Sequence, residues 1–65
     1  MITEYISHKS KKKVVIAEMV DQYLINSYNF YSKLLKEEKD SEKVLYMEEL
    51  KVSLKAEIDK RGLAI

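Results

Sequence analysis

Residues 14–35 read VVIAEMVDQYLINSYNFYSKLL, and this stretch decides the fold. It holds neither Pro nor Gly, the residues that most often interrupt a helix. Place Ile16 at zero and step about 100° per residue. One half of the wheel collects Ala17, Met19, Val20, Tyr23, Leu24, Ser27, Tyr28, Phe30, Tyr31, Leu34 and Leu35. The other half collects Glu18, Asp21, Gln22, Asn26, Asn29, Ser32, Lys33 and Lys36, with Val14, Val15 and Ile25 as exceptions. The spacing predicts an amphipathic helix over about 14–36. Its apolar arc is about 180°, wider than the roughly 100° stripe of a helix packed on one core. One neighbouring helix does not cover it.

Beyond this stretch comes the charged connector Lys36-Glu37-Glu38-Lys39-Asp40. Asp40 or Ser41 is the expected N-cap of a second helix, because a short side-chain oxygen accepts an unpaired first-turn N–H. Glu42 then suits the positive end of the helix dipole. Val44, Met47, Leu50, Leu54 and Ile58 fall on one stripe, and Leu45, Val52 and Ala56 form a smaller stripe on the far side. Lys60 and Arg61 suit the negative end of the helix dipole, and Gly62 follows them. With Gly62 at C′, Leu63 and Ile58 form the apolar pair of a Schellman cap. The second helix is expected over about 41–61. The short connector favours antiparallel neighbours.

On the N-terminal side, residues 1–7 contain Ile2, Tyr5 and Ile6 and admit a short strand, an arm or a frayed helical turn. Lys9, Lys11, Lys12 and Lys13 follow, with Glu4 as the one acid before residue 14. This is a basic N-terminal arm over 1–13, of the kind that contacts phosphates. His8, among Ser and Lys neighbours, reads as a surface residue.

Composition narrows the functional classes. The 65 residues contain no Cys and one His, so neither a disulfide framework nor a zinc-type ligand set is available. Apolar residues make up 46%, and 12 basic against 11 acidic side chains leave a formal net charge of +1. That balance favours folding over disorder. No apolar run of about 18 residues predicts a membrane span, and no leader pattern is seen, so a cytoplasmic protein is expected. The serines have no nucleophile-elbow context. Glu48, Glu49, Glu57 and Asp59 read as a solvated helix face. Gly62 alone makes no phosphate loop. We therefore expect no enzyme activity, no catalytic, cofactor or metal residue, and no small-molecule substrate.

The expected fold is all-α, a single antiparallel two-helix hairpin. Three arrangements cover its wide arc: a homodimer forming a four-helix bundle, a helical partner protein, or the N-terminal segment folded back. The first is favoured, because so short a chain builds little interior and has no covalent staple. Tyr23 and Phe30 are read as core. Tyr28, Tyr31 and Leu35 are candidate partner-binding residues on the broad arc, since Tyr anchors interfaces with a polar handle available. The expected function is a small regulatory protein that binds a partner, with inhibition as one mode. The alternative is a dimeric nucleic-acid binder using Lys9, Lys11, Lys12 and Lys13.

Two blocks carry a family resemblance. Asp21-x-x-Leu24-Ile25-x-Ser27-Tyr28 resembles the first-helix block of Sda-type inhibitors of sporulation histidine kinases. Glu57-Ile58-x-Lys60-Arg61-x-Leu63 resembles the end of their second helix. Between the blocks this chain has about ten more residues, and it has an extra N-terminal segment. The resemblance implies a helical hairpin that inhibits a kinase by binding it, with Leu24, Ile25 and Tyr28 near the contact surface.

Overall fold

Val14, Val15 and Ile16 are β-branched at three successive positions, a run that suits an extended chain better than a helix. In the computed structural model, which describes residues 2–7 and 10–64, they leave the helix. Strand β1 (Glu4–Ile6) pairs antiparallel with β2 (Lys13–Val15), with Tyr5 opposite Val14. The Ile16 N–H donates to the Thr3 carbonyl at 3.0 Å and extends the ladder. A single 3-10 turn, Ile16–Glu18, turns the chain into α1 (Asp21–Glu37). The first helix therefore starts at 21 instead of 14. Its N-terminus has no side-chain cap, and Asp21 supplies the anion of the first turn. Val14 and Val15, which fell on the polar half of the helical wheel, belong to β2.

Helix α2 spans Ser41–Arg61, as its end signals require. Asp40 Oδ1 accepts from the Glu42 N–H at 3.0 Å and the Lys43 N–H at 3.4 Å. At the other end Gly62 is left-handed, with φ 71°. The Leu63 N–H donates to the Ile58 carbonyl at 3.1 Å and the Gly62 N–H to Asp59 at 3.0 Å. That is the full Schellman pairing.

The two helices pack against each other, and the hairpin lies over them. Leu24 of α1 and Leu50, Leu54 and Ile58 of α2 are fully buried. Tyr5, Ile16, Met19, Tyr31 and Met47 complete the core. The Tyr5 ring meets Tyr31 edge-on, 5.7 Å between centroids. The Ile2 N–H donates to Ser53 Oγ at 3.0 Å, and that hydroxyl donates to the Glu49 carbonyl at 2.9 Å. So the chain is mostly helical with a small sheet, not purely helical. Part of the wide α1 arc is covered by its own N-terminal segment. Among the described residues, no helix is long and apolar enough to cross a membrane.

Candidate partner-binding face

The hairpin covers one side of the helix pair and leaves the other open. On the open side, α1 presents Tyr28 and Leu35, seven residues apart and so on one face. Helix α2 presents Val52 and Ala56, one turn apart. Together they floor a groove of about 570 Å³ between the helices. Its flanks carry Glu48, Lys51, Lys55 and Asp59. Val52 is 59% exposed, and Leu45, one heptad before it, is 68% exposed.

The charged flanks are organised. Lys51 Nζ stands 5.8 Å from the Tyr28 ring centroid, within cation–π reach. Lys55 Nζ pairs with Asp59 Oδ1 at 2.6 Å. That hydrogen bond holds the Lys55 ammonium pKa above its ordinary value. The groove thus joins an apolar floor to fixed charges of both signs.

The structure divides the five candidate partner residues. Tyr28 and Leu35 are half-buried and line the groove, and Ile25 is half-buried one turn before Tyr28. Leu24 is 0% and Tyr31 4% exposed, so both are core of the single chain. They are withdrawn as surface contacts. Leu24 packs among the residues of the central core, and Tyr31 is covered by Tyr5 of the hairpin. The aromatic assignments also shift. Tyr23 is 40% exposed instead of core, and Phe30 is half-buried against Tyr31 at 5.1 Å.

The described lysines of the cluster belong to the hairpin. Lys11 and Lys12 sit in the turn between the strands, and Lys13 begins β2. All three are exposed, and Lys13 pairs with Glu4 at 3.3 Å. Lys9 and His8 lie outside the described residues.

Sequence reasoning missed Arg61 as more than a dipole partner. Its guanidinium donates to the carbonyls of Met19 at 2.6 Å, Ala17 at 3.2 Å and Ile16 at 3.4 Å. It also pairs with Asp21 at 3.0 Å and Glu57 at 2.8 Å. The Glu57 hydrogen bond is the main cause of its raised pKa. Arg61 thereby pins the 3-10 turn and the start of α1 to the end of α2. The only local signal was Glu57, one helical turn before it.

No family model, curated protein or solved structure matches the chain.

Proposed function

We propose that this protein is a small non-catalytic regulator that binds a protein partner through the groove between α1 and α2. The observation that carries this reading is the apolar floor left open once the chain has closed its own core. Tyr28, Leu35, Val52 and Ala56 form that floor, and the exposed Leu45 lies one heptad before Val52 on α2. A groove between two helices suits the apolar face of a third helix. Burial of the floor supplies the driving force, at about 25 cal/mol per Å² before association costs. Lys51, Lys55, Glu48 and Asp59 set the orientation of what docks there. Charges of both signs also suit a second copy of the chain, which makes a homodimer one form of the same contact. The resemblance of two helical blocks to Sda-type hairpins supports kinase inhibition as the mode of regulation.

Val52→Glu tests the reading, because Val52 is exposed and its replacement leaves the core untouched. Light scattering over a range of concentrations reads self-association, and affinity capture reads another partner. The variant is expected to keep wild-type helix content and to lose the dimer or the captured protein. Wild type that stays monomeric, with captured proteins unchanged by Val52→Glu and Tyr28→Ala, would sink the proposal.

A further inference from the structure

A second concavity lies on the opposite side of α1, between that helix and the turn of the hairpin. Ser10 lines it from the turn, and Tyr23, Asn26, Ser27, Phe30 and Tyr31 line it from α1. Asn26 and Phe30 each stand about 160° around the helix from Tyr28. The cleft shares no lining residue with the partner groove.

Size, lining and charge agree on one class of ligand. The volume is about 250 Å³, below the roughly 300–1,000 Å³ of ordinary small-molecule pockets. It admits one planar ring system. The lining supplies rings to stack on and polar groups to meet ring edges. Tyr23 is 40% exposed, and Phe30 is held edge-on to Tyr31 at 83°. Ser10 contributes a hydroxyl and Asn26 an amide whose oxygen accepts from Gln22 Nε2 at 3.0 Å, both on exposed residues. Among the described residues, no carboxylate lines this cleft. Three other concavities each carry at least one: Glu48 and Asp59, Glu57, and Glu38. The two residues after Ser10 are the exposed Lys11 and Lys12. Their turn is fastened by Ser7 N–H to the Lys12 carbonyl at 2.9 Å and Lys11 N–H to the Ser7 carbonyl at 3.0 Å. Lys11 and Lys12 therefore share a fastened turn with Ser7 and Ser10, which line the cleft.

We propose that this cleft takes one unstacked nucleobase, with the neighbouring phosphate held by Lys11 and Lys12. An aromatic platform beside a basic strip is how single-stranded nucleic acid is bound with little sequence preference. A free nucleotide offers the same base and phosphate, so strand and mononucleotide are separate arms of the test.

The test is fluorescence anisotropy with labelled 12-nucleotide RNA and DNA of mixed sequence, with AMP and UMP as competitors. Two phosphate contacts predict a slope of log affinity on log salt of about −1.4, or about 25-fold weaker binding per tenfold rise in salt. Tyr23→Ala is expected to weaken binding roughly 5- to 140-fold, the range for one lost base stack. Tyr23→Phe retains it. Asn26→Asp keeps the side-chain shape, places a carboxylate in the cleft, and is expected to weaken binding even where Tyr23→Ala fails to fold. Lys11→Ala combined with Lys12→Ala flattens the salt dependence. Competition by AMP or UMP upholds the cleft with a free nucleotide as ligand, and strand binding without competition upholds it with a strand. Absence of binding to every probe at low salt overturns the proposal. So does binding that folded Tyr23→Ala and Asn26→Asp leave unchanged, since the lysines would then act without the cleft.

Discussion

Arg61 shows how one side chain ties distant parts of a small chain together. Three carbonyls and two carboxylates converge on its guanidinium, and they come from the 3-10 turn, the start of α1 and α2 itself. A planar fork of five N–H donors meets that geometry, and a lysine ammonium does not. Arg61→Ala and Arg61→Lys are both expected to speed amide hydrogen exchange in β1 and β2 while the middle of α2 stays protected. Equal protection of the hairpin in wild type and both variants would show that the clamp is dispensable. Tyr5 carries a different residue-scale consequence. Burial raises its phenol pKa above the ordinary 10.0, opposed by a hydrogen bond with Ser27 and aided by the nearby Tyr23 and Tyr46. The folded state therefore favours the neutral phenol. Its contribution is complete below the unfolded pKa and is lost as pH rises through the higher folded value. Thermal melts from pH 8 to 11 are expected to fall less steeply for Tyr5→Phe than for wild type above pH 10. Parallel curves would remove Tyr5 as the cause.

Each element obeys its own signals to a different degree. Helix α2 carries its start and stop in short-range chemistry, an Asp N-cap and a left-handed Gly, and it spans the residues those signals mark. Helix α1 lacks a side-chain N-cap, and periodicity alone set its expected start. Periodicity does not distinguish a helix from a strand followed by a turn when the apolar run is short and β-branched. The hairpin could not be read locally, because β1 and β2 are three residues each and hold only by pairing and by docking. Tyr31 is the α1 residue on which Tyr5 of β1 docks, whereas Tyr28 faces the open groove. Tyr31→Ala is expected to cost about 3 kcal/mol, as for a buried aromatic truncated in a core. Tyr28→Ala is expected to cost about 1 kcal/mol or less, as for a side chain at the surface. Urea unfolding checks both, and equal costs would contradict this division of the two tyrosines.

At the scale of the molecule, the chain is already compact. Its radius of gyration is 11.3 Å, against about 10.7 Å expected for a folded domain of this length. The single chain closes a core of its own around Leu24, Leu50, Leu54 and Ile58. The margin is still narrow. At 0.05–0.15 kcal/mol per residue, 65 residues support about 3–10 kcal/mol of stability. Leu54 is fully buried, and Leu54→Ala is expected to cost about 2–5 kcal/mol. Circular dichroism at 25 °C should show a large loss of helix in that variant, and a wild-type spectrum with an unshifted urea midpoint would show the core is not where these contacts place it. The amino-acid sequence by itself determined α2, both of its caps, its buried stripe, the antiparallel order of the helices and the excess apolar surface of α1. Those features arise from interactions within four or five residues or from a regular repeat. The tertiary structure decided what covers that excess, which of Leu24, Tyr28, Tyr31 and Leu35 stay at the surface, and where the lysines stand. Those outcomes depend on contacts such as Tyr5 with Tyr31 and Arg61 with Met19, between residues 26 and 42 positions apart. No local pattern encodes such a pairing, because its free energy appears only when the two segments meet.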